Sequence, residues 1–163
     1  DIIKEIQPFQ VNFLTLNYWD ANKTFEPIDD YQGLADKIKQ CIDLIINDTK
    51  YINVRYTPYC YMKGYEKYVC NQYQHVYDIY DWNKEIYDYD VDLTKTYTEK
   101  EKIDLGYLKA QDGRIDGCKK PLKCIRCKYF NICDGIEKQL DIDVHPEEGE
   151  KITDVNFYRK DFY

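Results

Sequence analysis

Apolar positions along the chain follow a two-residue rhythm, then a helical one, then a two-residue rhythm again. Gln10 to Leu16 reads Q-V-N-F-L-T-L, with Val11 and Phe13 on one face and Leu14 and Leu16 on the other. Apolar residues on both faces predict a short strand of a covered parallel sheet. Pro27-Ile28-Asp29-Asp30 offers a helix start with an aspartate cap, and Leu34, Ile38, Cys41, Ile42 and Ile45 recur at helical spacing. A helix is therefore predicted over residues 30–47, with Cys41 as a buried core thiol on its apolar stripe. Tyr51 to Tyr56 reads as a second strand, stopped by Thr57-Pro58. Strand, helix and strand at this spacing make a βαβ unit with parallel strands and a right-handed crossover, so the fold class is α/β.

Past the second strand the pattern weakens. Cys60 emerges at its carboxyl end and Cys70 follows, with Gly64 between them able to reverse the chain. Their spacing fits two readings equally, as extra metal ligands or reactive thiols, or as partly buried cysteines in a Tyr-rich turn. Val69, Tyr73, Val76 and Tyr77 predict a short helix over residues 66–77, where His75 reads as a surface or hydrogen-bonded residue. The aromatic, acidic stretches Tyr77–Trp82 and Tyr87–Asp92 lack the D-x-D-x-D-G loop of a calcium site and read as a solvated connection. Thr98 to Glu101 has a capping-box pattern, residues 135–140 read as a turn or brief helix, and 141–163 reads as an acidic tail. Asn17 to Asn22, leaving the first strand, reads as a ligand-binding loop or a plain connection.

Composition narrows the classes. The 163 residues are 44% hydrophobic, enough for one domain and a core with a smaller appended lobe, and 18 of them are Tyr, suited to the rim of that core. A formal net charge of −7 argues against non-specific nucleic-acid binding by the whole chain. No apolar run reaches the length of a membrane span and no signal-peptide pattern opens the chain, so membrane association is not expected. The first residue is Asp rather than Met, and the chain reads as a piece of something longer.

The densest chemistry lies in Gly117 to Gly135, G-C-K-K-P-L-K-C-I-R-C-K-Y-F-N-I-C-D-G, which holds Cys118, Cys124, Cys127 and Cys133 out of seven cysteines in all. The C-x2-C of Cys124 and Cys127 lets one tight turn aim two sulfurs at a common centre, and Cys118 and Cys133 each stand five residues further out. Lys119, Lys120, Lys123, Arg126 and Lys128 surround them with no acidic residue in between, and such cations favour thiolate over thiol. A four-thiolate metal site is the leading reading; four unrelated cysteines, or disulfides within the loop, are the alternatives. Clustered free cysteines point to a reducing compartment, the cytoplasm.

Two stretches resemble the C-terminal part of a radical S-adenosylmethionine (radical SAM) enzyme with a SPASM or twitch-type extension. Val54-Arg55-Tyr56-Thr57-Pro58-Tyr59-Cys60 through Tyr68 looks like a last barrel strand with the turn after it. Cys124-Ile-Arg-Cys127-Lys-Tyr-Phe-Asn-Ile-Cys133 is similar to the C-x2-C-x5-C run of that extension, and the similarity covers about residues 6–137. The resemblance implies a late βαβ unit of a partial (β/α)6 barrel in residues 1–62, a small cysteine-rich cluster-binding lobe in 63–140 and an acidic C-terminal tail in 141–163. It implies an auxiliary [4Fe-4S] cluster on Cys118, Cys124, Cys127 and Cys133, serving electron transfer or substrate binding, with Cys60 and Cys70 as candidates for an incomplete further site.

Two departures limit what the resemblance implies. Where that pattern wants another cysteine, with three residues between it and Cys133, this chain has Glu137. The C-x3-C-x2-C run that binds the catalytic cluster is missing, with Lys120 at the place that would complete it, so this segment alone is not expected to be catalytic. S-adenosylmethionine then belongs to the full-length enzyme, and the expected partners are an N-terminal radical SAM core in the same chain and a peptide or small-molecule substrate. The alternative function is a zinc-binding structural or interaction module with a four-Cys site. Binding of RNA or DNA through the basic, aromatic loop Lys119–Phe130 ranks behind both, because the rest of the chain is acidic.

Overall fold

The computed structural model describes residues 2–15, 30–70, 98 and 117–159. Helix α1 (Ile2–Ile6) leads into strand β1 (Gln10–Leu14), helix α2 (Tyr31–Ile45) and strand β2 (Tyr51–Arg55). Two 3-10 turns, Tyr59–Tyr61 and Glu66–Tyr68, carry the chain to strand β3 (Val69–Cys70). Strands β4 (Cys118–Lys119) and β5 (Ile136–Glu137) enclose a third 3-10 segment, Leu122–Arg126. β1, β2 and β3 form a parallel sheet with β2 in the middle, and β4 and β5 pair antiparallel. Among the described residues no helix is long and apolar enough to cross a membrane.

Helix α2 forms where the spacing predicts it. Asp30 caps its start, its side chain accepting from the Gly33 backbone N–H at 2.7 Å. A Cβ at Gly33 would stand 2.0 Å from that carboxylate, which would have to shift to admit a side chain there. Tyr31, Ala35, Ile38, Ile42 and Ile45 are the buried stripe. Cys41 is exposed, against the expectation of a core thiol. It lies about 100° round the helix from Ile42, enough to leave the stripe. There it lines a surface hollow with Ile2, Ile3, Phe13 and Leu44.

The sheet has one apolar and one polar face. Ile52 and Val54 join the α2 stripe in the core, with Val11 and Phe13 packed against it. On the opposite face Asn53 donates its side-chain amide to the Asn12 side-chain oxygen at 2.8 Å, and Gln10 donates to the same oxygen at 2.6 Å. Asn53 and Arg55 are nonetheless buried, so that face is covered as well as polar. Leu14, expected there, does not supply it, being 55% exposed, and Leu16 lies outside the described residues.

Three other expectations change. In place of a helix beginning at residue 66, a single 3-10 turn gives way to β3, where Val69 and Cys70 pair with Val54 and Arg55. β-branched Val69 extends along the open edge of β2 and joins its ladder. The continuation of that predicted helix, the 17–22 loop, most of the Thr98–Glu101 capping box and the aromatic, acidic stretches from 77 to 92 lie outside the described residues. Residues 136–137 are a strand rather than the expected turn or brief helix, because β4 offers them a partner. The described part of the acidic segment, residues 141–159, is built into the fold. Lys128 N–H donates to the Glu147 carbonyl at 2.8 Å, Ile152 N–H to the Lys128 carbonyl at 2.9 Å, and Val144 is buried.

At the carboxyl end of β2 the chain turns through Tyr56, whose φ of 64° is left-handed. That conformation costs a non-glycine residue about 1–2 kcal/mol. Two hydroxyls hold it, Thr15 Oγ1 and Tyr31 Oη each donating to the Tyr56 carbonyl at 2.9 Å. The turn sends Thr57-Pro58 off the sheet and sets where Cys60 arrives. Thr15→Val and Tyr31→Phe should each lower stability by about 1 kcal/mol in chemical denaturation. The double variant should lose more than the sum, because each single variant keeps one donor on the carbonyl. A double variant as stable as the parent would show that the clamp contributes nothing.

Candidate metal centre

Four cysteine side chains from two distant parts of the chain line one small cavity: Cys60, Cys124, Cys127 and Cys133. Cys60 sits in the 3-10 turn that follows β2, where Pro58 starts the turn and its carbonyl accepts from Tyr61 N–H at 3.1 Å. The other three come from consecutive tight turns. Cys124 N–H donates to the Pro121 carbonyl at 2.8 Å and Cys127 N–H to the Cys124 carbonyl at 2.9 Å, and Cys133 N–H closes on the Tyr129 carbonyl at 2.9 Å. Pro121, with φ −53°, is preset to begin that run. Gly135 has φ 91° and packs so close to β4 that a Cβ would stand 2.4 Å from the Lys119 carbonyl, which fixes the chain just past Cys133. Its N–H donates to Cys133 Sγ at 3.4 Å.

Aromatic packing joins the two parts. Tyr59 stacks on Tyr129 at 5.2 Å between centroids, and Tyr158 lies against both rings. The Tyr129 hydroxyl bonds to Glu66 at 3.0 Å and Glu147 at 3.2 Å. Pro58, Pro121, Tyr129, Phe130, Val144 and Pro146 supply the apolar remainder of the wall. The cavity volume is about 20 Å³, room for about one water molecule.

Burial dominates the electrostatics. It pushes the Cys60 thiol up, with Cys124 and Cys127 adding to the rise and the His145 backbone opposing it. It pushes Cys124 up as well, reinforced by Cys127 and opposed by Lys120 and Lys123. Cys133 is pushed up to about 12, again by burial first, while the backbone of Tyr59 and Gly135 favours the thiolate and Cys60 disfavours it. The thiols thus repel one another as thiolates, and a cation at their centre is what would let them ionise together. Lys120 is held beside them by its bond to the Phe130 carbonyl at 2.7 Å. Lys123 pairs with Asp143, and Lys128 with Glu147 at 2.5 Å, so the acidic segment answers the basic one.

Of the residues expected as ligands, Cys124, Cys127 and Cys133 come together, and the fourth place on the wall belongs to Cys60. Cys118 is not among the lining residues; it is buried in β4, opposite Glu137. Cys70 lies apart on β3, its sulfur accepting from Arg159 Nη1 at 3.1 Å. The signal that favoured Cys60 was its place at the carboxyl end of a parallel strand; cysteine spacing favoured Cys118 instead. Among the described residues no three His, Cys, Asp or Glu side chains converge on a point that would hold a single ion. A tetrahedral zinc with bonds of about 2.3 Å needs its sulfurs about 3.8 Å apart. These thiols share a cavity without forming that cage.

Compared with known proteins, the chain matches no family model, no curated protein sequence and no solved structure.

Glu147 ties the acidic segment to the cysteine run. The Lys128 hydrogen bond, aided by Tyr129, holds its carboxyl below the ordinary value of 4.5. A lowered folded value stabilises the fold above the ordinary carboxylate range, and the contribution is lost as pH falls through the folded value. Denaturation of the parent and E147Q should therefore differ by a constant amount around neutral pH and converge in acid. A difference that persists below the carboxylate range would rule the ion pair out as its source.

Proposed function

We propose that this chain is the auxiliary-cluster region at the C-terminal end of a radical SAM enzyme, and that Cys60, Cys124, Cys127 and Cys133 hold a [4Fe-4S] cluster. The observation that carries it is that a C-x2-C-x5-C run and a cysteine at the end of a parallel strand line one apolar cavity. The donor set suits the group in kind and number: four thiols for four irons, with cations nearby. A cluster spreads its thiolates more widely than one ion does, in keeping with side chains that line a common space without meeting. The cavity has room for about one water molecule, so loading a cluster would move the four side chains apart.

In this reading β1, α2 and β2 are late elements of a partial (β/α)6 barrel, and residues from the turn at Pro58 onward form the cluster lobe. When bound, the cluster would supply one-electron transfer; with a cysteine on each of its four irons it would leave none open to substrate. The chain's own residues would hold it and exclude water from it through Pro58, Pro146 and Val144. Lys120 and Lys123, which already favour the Cys124 thiolate, would offset its charge. The radical reaction would need an N-terminal core of the same protein to bind S-adenosylmethionine and a peptide or small-molecule substrate. A reducing cytoplasm would keep the thiols available.

One observation favours a second reading, a structural zinc site: a cavity of about 20 Å³ suits a single ion better than a cluster. Zinc would draw the sulfurs inward. Anaerobic preparation with iron and sulfide separates the two readings. The cluster reading expects a brown protein with matching iron and acid-labile sulfide, lost in C60S and kept in C118S. A colourless protein with one zinc and no sulfide supports the second reading. Iron lost in C118S but kept in C60S overturns the ligand set.

A further inference from the structure

A second cavity, of about 350 Å³, opens at the amino end of β2 and shares no lining residue with the thiol cavity. Its volume falls in the range of small-molecule sites, about 300–1,000 Å³. Three cations line it, Lys50, Lys67 and Arg159, together with the rings of Tyr51, Tyr68 and Tyr158. No Asp or Glu is among its lining residues, in a chain with 30 acidic residues against 23 Lys and Arg. Lys50 and Lys67 make no ion pair among the described residues. Lys50 Nζ stands 5.1 Å from the Tyr51 ring centre and 5.4 Å from that of Phe9, and Lys67 Nζ stands 4.8 Å from that of Tyr68. The ring faces hold the two ammonium groups at the cavity without neutralising them.

Arg159 fixes the wall. Its Nη1 donates to the Ile52 carbonyl at 3.4 Å and to Cys70 Sγ at 3.1 Å, so this side of the cavity is tied to β2 and β3. Tyr158 beside it is half-buried and packs on Tyr59 and Tyr129, which keeps its ring in place. Uncompensated ammonium groups select an anion, and tyrosine rings select a flat partner.

We propose that this cavity binds a small aromatic phosphate, an aromatic ring joined to a phosphate group, of the size of a nucleoside monophosphate. The phosphate lies between Lys50 and Lys67 and the ring against the tyrosines. Neither the cluster nor zinc is needed for this binding, and the site stands whichever metal the thiols hold.

Calorimetric titration of the whole chain tests it, using AMP, phenyl phosphate, adenosine and inorganic phosphate at low salt. AMP should bind saturably, with adenosine and inorganic phosphate each at least about tenfold weaker, and added salt should weaken AMP. Phenyl phosphate binding as well as AMP assigns the site to aryl phosphates in general; weaker phenyl phosphate assigns it to nucleotides. The double variant K50A/K67A, altered only at exposed side chains, should lose at least about tenfold in AMP affinity while its near-ultraviolet circular dichroism stays unchanged. The proposal is overturned if AMP binds no more tightly than adenosine or inorganic phosphate, or if K50A/K67A binds AMP as the parent does.

Discussion

Tyr59 and Tyr129, stacked at 5.2 Å and each 1% exposed, hold together two segments that lie far apart in the chain. One ring precedes Cys60; the other lies between Cys127 and Cys133. An aromatic pair contributes about 0.5–1.5 kcal/mol beyond the apolar area it buries. Both hydroxyls are satisfied, Tyr59 by the Val69 carbonyl and Tyr129 by two carboxylates, so burying the rings leaves no polar group unpaired. The side chains that bring the four sulfurs together are therefore not themselves ligands. The turn at Tyr56, the stack and the tight turns bring the thiols to one cavity by packing, and a metal would still have to rearrange them to bind.

The same burial that gathers the thiols favours the protonated form of Cys60, Cys124 and Cys133. Cys60, Cys124 and Cys133 are each raised by loss of water, and they raise one another further. Lysines at the rim pull the other way, and of these Lys120 and Lys123 act on Cys124. Such a site resists carrying bare thiolates and accepts them once a cation compensates. Its apolar wall of prolines, Val144 and aromatic rings also keeps water from that centre. The cationic cavity at the other end of β2 is open and polar, and the ring of Tyr158 is the packed element between the two.

What the sequence made legible follows from how many residues each element uses. Helix α2 shows several turns of a buried stripe and a capping aspartate, and it forms within two residues of where it is expected. β1 and β2 have enough alternation to read, and their parallel pairing follows from the helix between them. β3, β4 and β5 have two residues each, too few for any period, and exist only because a neighbouring strand offers hydrogen bonds. The polar sheet face was hidden for a similar reason: Asn12 and Asn53 are compatible with burial only because they bond to each other in register.

At the thiol cavity, the run from Cys124 to Cys133 was legible because its spacing is local. The exchange of Cys118 for Cys60 was not, since it depends on the left-handed turn at Tyr56 and on a stacking contact across the chain. The acidic segment concealed its role because Val144, Ile152 and Tyr158 are single apolar residues rather than a periodic set.

In the proposed reading Cys60, Cys124, Cys127 and Cys133 serve one inorganic centre. Alkylation of the unfolded chain with and without anaerobic metal loading, each cysteine mapped by mass spectrometry, tests it most directly. If the loaded centre survives a brief denaturing pulse, those four should gain protection together while Cys41, Cys70 and Cys118 gain none. Protection of Cys118 in place of Cys60, or of the C-x2-C pair alone, would contradict the account.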